Sequence, residues 1–127
     1  MSRSGQRPYV ESTEQLVVEV FVGNLERSIE FYTSLGFDLV DQRGTFAVLA
    51  WERHYYFLDQ LANLTPVTGP PRANVRVMVA DVDSVWTDCQ SKQFPIIAPI
   101  ADRSYGLRDF TIADPDGFGV RFGSWLR

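Results

Sequence analysis

The chain has 127 residues, 45% of them hydrophobic, which suits one compact domain or two small fused units around a real core. A formal net charge of −4 and a pI of about 4.9 argue against a nucleic-acid partner, which would need a basic face. The single cysteine, Cys89, excludes an intramolecular disulfide and a cysteine-rich metal site, and no run reaches the roughly 18 apolar residues of a membrane span.

Residues 1–14 are polar, carry Gly5 and Pro8, and read as a flexible tail without the apolar core of a secretion signal, so the expected location is cytoplasmic. Leu16 to Val22 is a β-branched run and reads as a strand. Asn24 is a good helix N-cap, because its side-chain oxygen can accept a free backbone N–H. Leu25, Ile29 and Tyr32 follow at helical spacing, and Gly36 sits where a left-handed residue ends a helix. Phe37–Val40, Thr45–Ala50 and Tyr55–Leu58 read as three strands, the last two joined by a polar turn at Glu52-Arg53-His54. Residues 61–73 hold Pro66, Gly69, Pro70 and Pro71 and form a linker. Val75–Val79 reads as a strand, Asp81 as an N-cap, and Val82, Val85, Trp86 and Cys89 as a helix face. Phe94–Ile97 is a further strand. Phe110–Ala113 and Gly119–Phe122 form a hairpin through Asp114-Pro115-Asp116-Gly117, where Pro115 presets φ and Gly117 supplies a positive one.

The two halves repeat at an offset of 57: Val20 to Glu26 lies over Val77 to Asp83, and Ile29, Phe37 and Leu39 lie over Trp86, Phe94 and Ile96. Caps, breaks and helix faces agree together, as expected of a unit that buries its apolar face against its copy. Phe46 aligns with Phe110 only at an offset of 64, which implies a longer loop between Ile97 and Phe110.

Val22-Gly23-Asn24-Leu25-Glu26-Arg27-Ser28, followed by Phe31-Tyr32 and Leu35-Gly36-Phe37, resembles the opening motif of the glyoxalase, bleomycin-resistance and extradiol-dioxygenase (vicinal oxygen chelate) superfamily, with Asn24 in place of the usual aspartate. Val79-Ala80-Asp81-Val82-Asp83 resembles the opening of a second module, and Tyr105 to Phe110 with Asp114 to Gly117 its closing hairpin. The resemblance implies an α+β fold of two tandem βαβββ modules forming a cupped mixed sheet. Residues 15–127 would then be a single domain, with module 1 at about 15–60, the linker at 61–73 and module 2 at about 74–127.

Metal-using relatives place one ligand on the first and one on the last strand of each module. The equivalent positions here are Val17, Phe57, Asn74 and Arg121. Valine and phenylalanine donate nothing, asparagine is a weak ligand, and arginine repels a cation. No metal or other cofactor is therefore expected, no catalytic residue is assigned, and the reading is non-enzymatic. His54 reads as a solvated turn residue, Cys89 as a small core residue, and Asp114 and Asp116 as turn formers.

What remains is a cup. Asp41, Phe46, Trp51, Tyr56, Tyr105, Phe110 and Arg121 are the candidate ligand-binding residues: aromatics to stack on a flat ligand, with acids such as Asp38, Asp41, Asp59, Asp102 and Asp109 to hold a cationic group. The chain is most similar to bleomycin-resistance proteins, although its loop after Val40 is shorter. That likeness implies a homodimer sequestering a small molecule, a bleomycin-like cationic glycopeptide among the options, with no nucleic-acid or membrane partner. Two other readings stay open: a metal-dependent lyase or dioxygenase with displaced ligands, and a ligand-free structural or regulatory domain.

Overall fold

The computed structural model describes residues 9–127; the first eight residues of the expected tail lie outside the described residues. The order of elements is α1 (Ser12–Gln15), β1 (Val18–Val22), α2 (Leu25–Leu35), β2 (Asp38–Arg43), β3 (Phe46–Trp51), β4 (His54–Gln60), β5 (Asn74–Met78), α3 (Val82–Ser91), β6 (Ile96–Asp102), β7 (Leu107–Ala113) and β8 (Gly119–Trp125). Two four-stranded sheets result, ordered β1-β4-β3-β2 and β5-β8-β7-β6. In each, the first strand pairs parallel with the last and the other pairings are antiparallel. The fold is α+β and repeats βαβββ twice.

Local chemistry fixes the repeat. Asn24 Oδ1 accepts the backbone N–H of Arg27 at 3.0 Å, and Asp81 Oδ1 accepts that of Ser84 at 3.2 Å, so each helix starts at a side-chain cap. Helix α2 ends at Gly36, whose φ of +119° suits a residue without Cβ. A Cβ there would also press on the Trp51 ring at 3.0 Å.

The helices are not equivalent in burial. Helix α2 buries Leu25, Ser28, Ile29, Phe31, Tyr32 and Leu35, a stripe too wide for one sheet, because it is covered from both sides. Tyr32 packs on Phe37 and Tyr56 of the first module, while Phe31 meets Phe94 of the second at 4.8 Å between ring centroids. Helix α3 buries only Val82 and Cys89, with Trp86 half-buried on Phe110. One apolar core joins the helix-covered faces of both sheets, and Trp51 reaches Phe122 across it. The opposite faces of the sheets therefore point away from the core.

Three expectations need correction. The strand expected at Phe94–Ile97 begins at Ile96, since Pro95 lacks an N–H for the ladder and only its carbonyl is used, accepting from Ala113 at 3.0 Å. The longer loop expected after Ile97 is mostly strand: β6 continues to Asp102 through two register shifts, and a short turn at 103–106 leads into β7. Phe46 does not lie over Phe110. Val48 pairs with Phe57 and Thr111 with Arg121, which places Phe46 over Asp109 and Ala47 over Phe110. A slip of one residue exchanges the two faces of a strand.

Candidate functional site

The alternation of the strands sorts their side chains. On the open face of the first sheet, Glu19, Phe57, Val48 and Asp41 form one row across β1, β4, β3 and β2. Phe21, Asp59, Phe46 and Arg43 form the next. Phe46 and Phe57 meet at 5.3 Å between centroids, and Phe21 is 49% exposed. Asp41 is bound by Arg43 at 2.9 Å, while Glu19 and Asp59 have no cation within ion-pair distance among the described residues. This face is aromatic and acidic.

The open face of the second sheet has the opposite character. Arg76, Arg121, Thr111 and Ala98 form its central row, and Met78, Gly123, Asp109 and Ala101 the next. Arg121 Nε donates to Thr111 Oγ1 at 3.0 Å. Asp109 is buried and fully engaged: Arg103 Nε donates to it at 2.8 Å and the Tyr105 hydroxyl at 2.6 Å. That hydrogen bond to a carboxylate raises the Tyr105 phenol above its ordinary pKa.

Between the edges of the sheets lies a cleft of about 440 Å³, lined by Val18, Trp51, His54, Tyr56, Val75 and Arg76 among others. A groove of about 520 Å³ runs between α2 and the second module. Its cations are already paired, Arg27 with Asp116 and Lys92 with Asp88.

The structure thus divides the seven candidate binding residues. Asp41 and Phe46 share the open face of the first sheet, Tyr105 and Arg121 the open face of the second, and Trp51 and Tyr56 the edge cleft. Phe110 belongs to none: it is wholly buried between Trp86 and Phe122, the consequence of the register slip. Tyr56 is only 3% exposed, and its hydroxyl donates to Tyr32 at 2.8 Å, so it is a core residue touching the cleft with a ring edge. Of the acids named with them, Asp102 is held by Arg108 at 3.0 Å and Asp109 by Arg103. The reading of sequence passed over Glu19, Phe57 and Arg76 as binding residues. Alternation two residues on from Val17 and Asn74 gives Glu19 and Arg76, which are themselves 57 apart, and the offset of 64 from Arg121 gives Phe57.

Asp114 and Asp116 do more than form a turn. Asp114 Oδ1 accepts the backbone N–H groups of Asp116 and Phe118, each at 2.9 Å, and its Oδ2 accepts the Tyr32 hydroxyl at 2.7 Å. Burial pushes the Asp114 carboxyl above its ordinary pKa against these hydrogen bonds, and burial likewise raises both tyrosines. Asp116 accepts from Gly23 N at 3.2 Å and from Arg27 at 3.3 Å. Both acids tie the second module to the first. His54 is exposed, and Cys89 is buried with its thiol pushed up to about 11 by burial, so it is not a nucleophile at neutral pH.

The sequence profile of the Glyoxalase/Bleomycin resistance protein/Dioxygenase superfamily matches residues 15–122. The chain belongs to this superfamily. No curated protein matches it in sequence. Among solved structures, it is similar to a glyoxalase/bleomycin resistance protein/dioxygenase from Alicyclobacillus acidocaldarius, at TM-score 0.75 and 13% identity over 93% of this chain and 96% of that one. TioX from Micromonospora sp. ML1 superposes at TM-score 0.70 and 21% identity, covering 87% and 98% of the two chains. A lactoylglutathione lyase from Agrobacterium tumefaciens does so at 0.69 and 19%, covering 86% and 91%. At such identities the likeness is one of fold.

The superfamily's metal positions do not suit a metal here. Phe57 and Arg121 lie on the open faces, Asn74 pairs with Gly119 on the same face as Arg121, and Val17 stands one residue before β1. The side chains beside them offer two carboxylates, Glu19 and Asp59, against two guanidiniums, and among the described residues no three His, Cys, Asp or Glu come together. No step through a metal follows from this donor set. No helix among the described residues is long and apolar enough to cross a membrane.

Proposed function

We propose that the chain is a small-molecule binding protein of the bleomycin-resistance kind, which sequesters an aromatic ligand without metal catalysis in a cleft completed by a second copy. The observation that carries this reading is the pair of open faces, one aromatic and acidic, the other rich in arginine, both turned away from the common core. Neither face alone encloses a ligand. The first sheet of one copy laid over the second sheet of another would enclose one between an aromatic, acidic wall and an arginine-bearing wall, and two-fold symmetry would build the site twice. Phe46 and Phe57 would stack on the flat part of the ligand, and Glu19 and Asp59, which Arg43 leaves free by pairing with Asp41, would hold a cationic group.

Light scattering of the purified chain tests the assembly and is expected to give twice the chain mass. A thermal-shift series with flat cationic glycopeptides and simpler aromatic cations tests the binding. A ligand at about 100 times its Kd stabilises by roughly 2.7 kcal/mol. Phe46→Ala should weaken any such ligand about tenfold, a cost of about 1.4 kcal/mol, and leave unliganded stability within about 1 kcal/mol, because the ring lies on the half-exposed face. A monomer that shifts with no aromatic compound would sink the proposal. A dimer that ignores bleomycin but responds to another aromatic would remove only that drug.

A further inference from the structure

Arg76 and Arg121 are direct neighbours on parallel strands, on the same open face. Like charges so placed repel, and this arrangement is destabilising unless something offsets it. Nothing in the chain does: no carboxylate lies within ion-pair distance of either guanidinium among the described residues, although Arg27, Arg43, Arg103 and Arg108 all have one. Arg121 is also oriented. Its Nε is held by Thr111 Oγ1, which fixes the plane of the guanidinium and leaves its two terminal nitrogens unengaged. The nearby acid, Asp109, is saturated by Arg103 and Tyr105 and does not compete. In the next row Gly123 places no side chain between Met78 and Asp109, so the floor beside the arginines is low. Met78, Tyr105 and Trp125 stand around it, 37%, 52% and 63% exposed.

We infer that this face is a carboxylate-recognition site: Arg76 and Arg121 grip the carboxylate of an aromatic ligand whose ring lies over Gly123 against Met78, Tyr105 and Trp125. Guanidinium forks match a carboxylate in planar, two-point geometry, and a bound anion turns the repulsion of the pair into attraction. The inference rests on the proposed ligand-binding role and narrows it, since the ligand then carries an acidic group besides any cationic one.

Isothermal titration of the full chain with 2-naphthoate, 2-naphthamide and 2-naphthylmethylamine at about 0.15 M salt tests it, the salt screening exposed long-range charge. Naphthoate is expected to bind at least tenfold more tightly than the amide. Arg76→Gln and Arg121→Gln should each bring naphthoate to the level of the amide, leave amide binding unchanged and leave the oligomeric state unchanged. Arg121→Lys should recover only part of the loss, because an ammonium keeps the charge but not the fork. Unliganded Arg76→Gln should melt no lower than the parent chain, as it relieves a repulsion. If naphthoate binds no better than the amide, the carboxylate site is wrong while the cleft survives. If the arginine variants dissociate the oligomer and leave naphthoate affinity intact, the pair serves an acidic face of a second copy instead. If none of the three compounds binds the parent chain, the carboxylate site fails, and the thermal-shift series with other aromatic compounds decides the ligand-binding role separately.

Discussion

Asp114 occupies a turn and an interface at once, and its two oxygens divide the work. Oδ1 closes the β7–β8 turn on two backbone N–H groups, and Oδ2 takes the hydroxyl of Tyr32 from the other module, to which Tyr56 donates in turn. Asp114→Ala would leave two buried donors and a part-buried one without their acceptor, at roughly 1–3 kcal/mol for each buried donor before relaxation. A loss of about 3 kcal/mol or more in urea unfolding is expected. Asp114→Asn should cost less than half of that. Its oxygen keeps the two N–H groups, and its amide nitrogen can donate to Tyr32, whose hydroxyl then turns toward Tyr56. The pH dependence has a definite sign. The native carboxyl is raised above its unfolded value, so the folded state holds the proton more tightly. Asp114 therefore contributes most below the unfolded pKa of about 3.9, and the contribution is lost as pH rises through the raised native value. The stability of the parent chain relative to Asp114→Asn should fall over the interval that begins at about pH 4 and ends at the raised native value. A rise over that interval would show that the hydrogen bonds outweigh burial.

At the scale of the element, the linker and the β7–β8 turn depend on one another. Gly117 has a φ of +89°, and a Cβ there would collide with the carbonyl oxygen of Val67. Val67 N donates to Asp116 O at 2.8 Å, so the linker is pinned across the turn. Gly117→Ala combines left-handed strain with that collision and should destabilise by about 2–4 kcal/mol, read as a lower urea midpoint at unchanged m-value. The positive φ at Gly117 is legible from its neighbours Asp114, Pro115 and Asp116, but the linker crossing it is not, because no local pattern reports a contact fifty residues away. The same limit runs through the fold. Caps at Asn24 and Asp81, the stop at Gly36 and the repeat itself are local signals, and they place α2, α3 and seven of the eight strands within a few residues; α1 falls where a tail is expected, and β6 runs five residues past its expected end. Phe46 and Phe110 look alike in composition, yet the β7–β8 turn is one residue longer than the β3–β4 turn, and that one residue decides whether an aromatic faces a ligand or the core. Tyr56 shows a related limit: alternation puts it on a face, but only the core partner, Tyr32, tells which face is covered.

At the scale of the whole molecule, the two open faces belong to different modules and look in different directions from a shared core. If one chain supplied both walls of a cleft, substitutions on the two faces would damage the same site whichever chains carried them. If the walls come from two copies, the damage can be separated. A dimer of one Phe46→Ala chain and one Arg121→Gln chain has one cleft with both defects and one with neither. Mixing the two variants, each deficient in binding on its own, and letting subunits exchange should therefore restore tight sites to about a quarter of the number in the parent protein, since half of randomly formed dimers are mixed and each holds one intact cleft of two. Titration with a ligand that both variants have lost, before and after exchange, measures that stoichiometry. The recovered sites should show the parent affinity, not an intermediate one, because every residue lining them is unchanged. Recovery of none would place both faces in a single-chain site or in no common site. Such a result would remove the dimeric cleft even if light scattering found a dimer, because the copies would then associate through other surfaces.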